Sequence, residues 1–226
     1  MRKIKINSAP KTVAIFLLLS ALSSCYIARQ SKIIDNYYNN QLPAPDKKKK
    51  NDISIVNGLK SNNTVISVTT GKTSNFLPLI LYFQGHHRYI HTLNSQIPAT
   101  YITNAINSNS NKTLSDKLNG RKLQLTIEQA PISFADVAKW HMVLLLVSWE
   151  KLYFEPDTNN LVVSYKVMKN DIAEKTGSME VKSNFTNKGK RYFQSFKSGI
   201  SEYLGQYEVN LKLMTKELMN KLTEEL

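Results

Sequence analysis

The sequence predicts an α+β fold of two layers, in which helices cover one face of an antiparallel sheet of four or more strands. Segments with alternating apolar residues recur between residues 122 and 185, and a long apolar stripe at helical spacing follows them in the C-terminal tail. An antiparallel sheet usually has one face to bury, and so has an amphipathic helix. We therefore expect the C-terminal helix to cover the sheet.

The sequence of residues 53–107 predicts three strands followed by a helix. Apolar residues 53–56 and 64–68 flank the polar residues 60–63, which predicts a hairpin. Residues 76–83 predict a third strand, and Pro78 favours its start or a sheet edge because proline cannot donate to a strand ladder. A helix is expected over residues 95–107, with Ser95 as its cap.

The second half predicts a meander of four strands over residues 122–128, 142–154, 161–167 and 177–185, turning at 155–160. Residues 142–147 are apolar on both faces, which is typical of a central strand. The tail then predicts a helix over residues 193–222, with a kink or break near Gly199 and Gly205. Because such a helix is longer than a sheet is wide, we expect residues 218–226 to project beyond the sheet.

The N-terminus has the order of a secretory signal, with Arg2, Lys3, Lys5 and Lys11 before an apolar run over residues 13–22. The run is shorter than the ~17–25 residues needed to cross a bilayer. It ends in Leu22, Ser23, Ser24 and Cys25, which resembles the lipobox of a bacterial lipoprotein. The resemblance implies that residues 1–24 are removed and that Cys25 carries the lipid. An ordinary signal peptide that happens to contain a cysteine is the alternative.

The mature chain divides into a tether over residues 25–50 and one α+β domain over residues 51–226. Prolines, paired asparagines and four consecutive lysines disfavour a packed element in the tether. Those lysines, Lys47, Lys48, Lys49 and Lys50, are candidates for contact with anionic lipid head groups. The alternative, which we favour, is that they form a solvated linker.

Charge and cysteine content narrow the classes of partner. Four of the 30 basic residues and none of the 17 acidic ones precede Cys25, which leaves the mature chain with nine excess positive charges. An exported protein rarely meets nucleic acid, so we expect a membrane, a lipid or an envelope protein as partner, with the oligomeric state open. Cys25 is the only cysteine, which excludes an internal disulfide, an iron–sulfur cluster and a thiol nucleophile. No cofactor is expected.

Three of the four histidines lie between residues 86 and 91. His87 and His91 would share a face of either a helix or a strand, which makes them weak candidates for a metal pair. No acidic residue lies within ten positions on either side of the cluster. We therefore favour a structural role.

The sequence contains no catalytic motif that we can identify. The carboxylates considered for hydrolysis are Glu128, Asp136, Glu150, Glu155 and Asp157. Eight aromatic residues could line an apolar groove, although core packing explains most aromatic residues at such spacings. They are Trp140, Trp149, Tyr153, Phe154, Tyr165, Tyr192, Phe193 and Phe196.

The lipobox followed by strands, a helix, a meander and a terminal helix weakly resembles the periplasmic auxiliary lipoproteins of ABC transport or lipopolysaccharide assembly. The resemblance implies a non-catalytic binding or accessory protein, anchored in the envelope and most often in the outer membrane facing the periplasm. An envelope hydrolase and a surface-exposed ligand-binding lipoprotein are the alternatives.

Replacing Cys25 tests the anchor. We expect Cys25→Ala to abolish membrane attachment, because no later segment of the sequence is apolar enough to span a bilayer. Incorporation of labelled fatty acid and retention in washed membranes are the two measurements. Fatty acid found in the Cys25→Ala protein would contradict the lipobox.

Overall fold

The computed structural model describes residues 30–39, 42, 44, 52–60, 65–69, 75–77, 81–110, 112–144, 146–191 and 193–226, with the backbone alone at 65–69 and 75–77. Cys25 and the lysines at 47–50 lie outside these ranges. Four helices are described, α1 (30–39), α2 (Gln96–Asn109), α3 (Lys112–Leu118) and α4 (Phe196–Glu225). None of them is both long and apolar enough to cross a bilayer.

Ten strands in the described part of the chain form two sheets. The strands are β1 (Ile53–Asn57), β2 (Val65–Thr69), β3 (Asn75–Leu77), β4 (Tyr82–Thr92), β5 (Lys122–Gln129), β6 (Ser133–Val143), β7 (Val147–Pro156), β8 (Asn160–Lys169), β9 (Ile172–Lys182) and β10 (Lys188–Gly189). The four-stranded sheet has the order β1-β5-β8-β9, and only its β1–β5 pair is parallel. The six-stranded sheet is antiparallel, with the order β10-β7-β6-β4-β2 and β3 also paired to β4. The predicted α+β class is confirmed.

The strand pairing differs from the prediction in two places. The expected hairpin over residues 53–68 is absent, because β1 pairs with β5 and β2 pairs with β4. The expected meander is also wrong, because β5 pairs directly with β8 while β6 and β7 belong to the other sheet. Alternation of apolar residues shows which face of a strand is buried, but it does not show which strand lies beside it.

The expected strand over residues 142–154 is also wrong. The chain turns at Leu144 and Leu146, and β7 begins only at Val147. Leu146 is 86% exposed, so the apolar run that predicted a central strand forms an exposed hairpin turn.

The C-terminal helix is continuous from Phe196, and its stripe is buried as predicted from Ile200 onwards, with Ile200, Leu204, Leu211 and Leu218 each at most 1% exposed. Phe193, which was expected to begin the buried stripe, precedes the helix and is 95% exposed. The predicted break is absent. A Cβ at Gly199 would approach the ring of Phe154 to 3.0 Å, so this glycine lets the helix approach the sheet closely. The predicted projection of the last turns is wrong as well, because Leu222 is fully buried and Lys175 Nζ donates to the carbonyl oxygen of Glu225 at 2.6 Å.

The first two helices differ from the sequence-based expectations in smaller ways. Helix α2 was expected from Ser95, but the Ser95 side chain makes no capping hydrogen bond, and Asn94 Oδ1 accepts from the backbone N–H of Gln96 at 2.9 Å instead. Residues 30–39 were expected to be part of the flexible tether. They form α1, whose Ile34 and Tyr38 are 0% and 4% exposed in the core.

The buried stripe of α4 predicts a large loss of stability when it is shortened. We expect Leu218→Ala to lower the free energy of unfolding by about 2–5 kcal/mol, because the deletion leaves a cavity in the core. Urea unfolding of the purified protein measures it. The matched control is Leu213→Ala, which removes a leucine that is 61% exposed on the same helix and should change stability by about 0.5 kcal/mol or less. Equal effects of the two substitutions would contradict the packing.

Candidate functional site

One face of the six-stranded sheet carries a polar cleft. Helix α4 packs against the opposite face, where Tyr203 contacts Phe134 and Phe154 with ring centroids 4.9 and 5.8 Å apart. The cleft has a volume of about 400 Å³ and is formed by side chains that alternate along β4, β6 and β7. It is lined by Gln84, Gly85, His86, Arg88, Val137, Lys139, His141, Tyr153 and Glu155.

An ion-pair group closes one end of the cleft. Arg88 Nε donates to Glu155 Oε1 at 3.1 Å, and Arg88 Nη2 donates to Asp157 Oδ1 at 2.8 Å. Asn187 donates to the second oxygen of Glu155 at 3.4 Å. Burial works against the charge of Arg88, but its hydrogen bonds to Asp157 and Glu155 prevail and raise its pKa. The guanidinium is therefore fixed in place by two carboxylates.

Aromatic rings line the other end. The Tyr82 hydroxyl donates to Gln84 Oε1 at 3.0 Å and lies 2.7 Å from His141 Nδ1. His141 stacks on Trp149 with ring centroids 5.1 Å apart, and Lys139 Nζ lies 5.3 Å from the centre of the Tyr153 ring. The cleft thus offers flat rings, two cations and planar hydrogen-bonding groups at fixed positions.

The two histidines considered for a metal do not act together. His91 is fully buried and its Nε2 lies 2.8 Å from Asp136 Oδ1, whereas His87 is exposed on the same strand. Gln30 of α1 donates to the other oxygen of Asp136 at 3.3 Å, and His91 stacks on Phe134. His91 Nδ1 has no hydrogen-bond partner among the described residues. Within those residues, no group of three or more histidine, cysteine or acidic side chains is placed to hold a metal.

The candidate carboxylates separate into four places. Glu155 and Asp157 meet at Arg88, whereas Asp136 is buried against His91. Glu128 accepts from Ser164 at 2.7 Å on the four-stranded sheet. Glu150 is exposed on β7, in the row opposite Trp140.

The eight candidate aromatic residues do not line one groove. Trp149 and Tyr153 belong to the cleft region, but Phe154 packs on Phe196 in the core with centroids 5.8 Å apart. Trp140 and Tyr165 cover Gly85 and Gly177 of the neighbouring strands. Phe193 is 95% exposed, and Tyr192 is outside the described residues.

Three residues of the cleft that the sequence did not single out for a site are Arg88, Lys139 and Gln84. They come from two strands that are far apart in sequence, and only the strand register brings them together. Alternation in β4 and β6 could have placed them on common faces, but no local motif marks them. Asp136 was missed as the partner of His91 for the same reason.

A second polar cluster joins α1 to α2 and α4. Glu208 accepts hydrogen bonds from Tyr101 and Tyr37, which lower its pKa, but burial is the larger effect and raises that pKa overall. Burial and the charge of Glu208 in turn raise the pKa of Tyr37. Tyr38 and Tyr207, both buried, lie in the same cluster. These contacts fix α1 on the domain.

The buried pair predicts unequal effects of the two histidines. We expect His91→Ala to lower the free energy of unfolding by about 3–5 kcal/mol, because it leaves the buried Asp136 carboxylate with Gln30 alone. His87→Ala, at an exposed position of the same strand, should change it by about 0.5 kcal/mol or less. Urea unfolding measures both.

Zinc content of the purified protein completes this test. We expect no stoichiometric zinc in the wild type or in the variant His87→Gln/His91→Gln. A bound metal that disappears in that double variant would show that the histidines are ligands.

Comparisons with protein-family models, with curated proteins and with solved structures find no match to this chain. What the protein does is therefore inferred from its own residues.

Proposed function

We propose that this protein is a lipid-anchored binding protein of the bacterial envelope, which holds a ligand in the cleft of the six-stranded sheet and does not transform it. The observation that supports binding is the cleft itself, in which Arg88, Lys139, His141 and Tyr153 are held by partners before any ligand arrives. Preorganised groups of this kind lower the entropic cost of binding. The anchor is the lipid expected on Cys25.

The chemistry of the cleft fits a saccharide of the envelope. The rings of Tyr153 and His141 offer flat surfaces for the C–H face of a sugar ring. Gln84 and Arg88 offer planar donors and acceptors for hydroxyl groups, and Lys139 adds a positive charge. An open cleft on a sheet face also suits a polymer, which enters from the side and extends beyond the site.

The hydrolase alternative receives less support. Glu155 and Asp157 are two carboxylates near the same cleft, which is what a glycosidase requires. However, Arg88 binds both of them, and Asn187 occupies the second oxygen of Glu155. The buried His91–Asp136 pair is fully enclosed and would need a rearrangement to meet a substrate. A role in a transport or assembly system remains the implication of the resemblance.

Substitutions in the cleft test this proposal. We expect Lys139→Met and Tyr153→Ala each to weaken binding to isolated peptidoglycan sacculi or to lipopolysaccharide about tenfold. The first removes the positive charge of the cation–π pair, and the second removes the ring that offers a surface for the sugar. Lys166→Met is the matched control, since Lys166 is an exposed lysine on β8 of the other sheet. Co-sedimentation and calorimetry measure the affinities.

Two outcomes would contradict the proposal. In the first outcome, the two cleft variants bind each saccharide with the same affinity as the wild type, and the melting temperatures are unchanged. The other is cleavage of the saccharide by the wild-type protein, detected as new reducing ends, which would identify the hydrolase.

A further inference from the structure

We infer that the outer end of the β6–β7 hairpin is a second membrane contact, which inserts into the bilayer that holds the lipid of Cys25. We call this end the apolar tip, and define it as Leu81, Leu144, Leu146, Val147 and Trp149. The inference rests on the proposed lipid anchor. It goes beyond it because it assigns a lipid-binding surface to the folded domain.

The apolar tip concentrates the exposed apolar surface of the protein. Eleven large hydrophobic residues are exposed in the described part of the chain, and five of them are in the tip. Leu146 is 86% exposed, Val147 59% and Leu144 52%. Single exposed apolar residues are ordinary, but a contiguous group marks a surface that contacts lipid or protein.

Two leucines of the apolar tip have a backbone conformation that disfavours leucine. Five described residues other than glycine have a positive φ, and three of them are asparagine or aspartate, which tolerate that conformation. The other two are Leu81 and Leu144, with φ of 43° and 52°. They are joined by a hydrogen bond from Leu144 N to Leu81 O at 3.2 Å. A bulky residue at positive φ carries backbone strain, so asparagine or glycine would make the turn itself more stable.

The residues behind the apolar tip follow the order of a membrane interface. The row that pairs Val143 with Val147 is followed, about 7 Å further back, by the row that pairs His141 with Trp149. The row that pairs Lys139 with Lys151 lies about 13 Å behind the first. Apolar residues, then aromatic rings, then cations is the sequence of layers from hydrocarbon to anionic head groups.

The start of α1 limits the distance between the anchor and the domain. Gln30 contacts Asp136, and five residue steps separate Cys25 from Gln30. Those steps span about 18 Å at most, in any conformation. Asp136 is seven residues from Val143, the last residue of β6, or about 23 Å. The difference, about 5 Å, is within the ~5–10 Å to which interfacial elements insert.

The direction of α1 agrees with this arrangement. Its far end lies beside α2, where Tyr38 and Asn39 line a surface cleft with Asn94 and Ile97, just beyond the end of β4. Gln30, at its near end, contacts Asp136, which is closer along the strands to the apolar tip. The chain that carries Cys25 therefore joins the domain from the side that faces the apolar tip.

Tryptophan fluorescence tests the insertion. The chain has two tryptophans, so Trp140→Phe leaves Trp149 as the only emitter and keeps a ring over Gly85. The chain from residue 25 is bound, lipidated or as the unlipidated Cys25→Ser form, to vesicles of phosphatidylethanolamine and phosphatidylglycerol. We expect Trp149 emission to move to shorter wavelength and to be quenched by lipids brominated on their acyl chains.

The variant Leu144→Asn/Leu146→Asn should lose the shift and the quenching. It should also lower vesicle binding of the unlipidated form about tenfold or more for each leucine. Its melting temperature should be unchanged or higher, since asparagine suits the backbone of residue 144. Ile172→Asn is the matched control, because Ile172 is a 71% exposed residue beside the β8–β9 turn.

Three outcomes would overturn the inference. If the lipidated protein binds the vesicles but Trp149 emission neither shifts nor is quenched, the apolar tip does not insert. A shift that needs no vesicles and grows with protein concentration, with dimers in solution, would assign the tip to a second copy. If Ile172→Asn reduces vesicle binding and the emission shift as much as Leu144→Asn/Leu146→Asn does, the loss is not specific to the apolar tip. If Cys25 proves to carry no lipid, the anchor fails, and insertion of the unlipidated form still decides whether the tip binds lipid.

Discussion

The packing of α4 against both sheets is the interaction on which the rest of the structure depends. Tyr203 alone contacts Phe134 and Phe154 of the six-stranded sheet and Phe185, which follows the last strand of the four-stranded sheet. Further along the helix, Leu211, Leu218 and Leu222 are buried in the same core cluster as Leu123 and Val167. The hydroxyl of Tyr165 donates to Glu225, and this bond is the main reason that the pKa of Tyr165 rises to about 12. One helix thus gives two sheets a common core.

The limited extent of this packing explains where the cleft and the apolar tip occur. Residues 134–138 of β6 are buried, whereas residues 139–143 and most of β7 are partly or fully exposed. The outer half of the β6–β7 hairpin, together with the first half of β4 that pairs with it, therefore extends beyond the part of the sheet that the helix covers. We call this extension the projecting arm. Both of its faces and its end contact solvent, so it adds little buried apolar area to the fold but makes surface available for binding.

The sequence predicted the features that depend on local periodicity. The stripe of α4 and the alternating faces of β5 and β8 were predicted, because each is set by residues within one element. Strand partners were not, since pairing is decided by contacts between distant segments. The apolar residues 142–147 were mistaken for a buried strand because their composition is that of a core and their exposure is not visible in sequence. The cleft was missed for a related reason, as Arg88, Lys139 and Tyr153 become neighbours only through the register of three strands.

The arm also relates the two proposed activities to each other. The Lys139–Lys151 row is about 13 Å behind the Val143–Val147 row, and the row that contains Glu155 is about 26 Å behind it. A domain whose apolar tip enters the bilayer would hold the Arg88 and Tyr153 end of its cleft between these two levels, just outside the head groups. The nine excess positive charges of the mature chain would favour an anionic membrane surface in the same orientation. A ligand in the cleft would then lie at the height of saccharides attached to membrane lipids, and the short connection between Cys25 and α1 would keep it there.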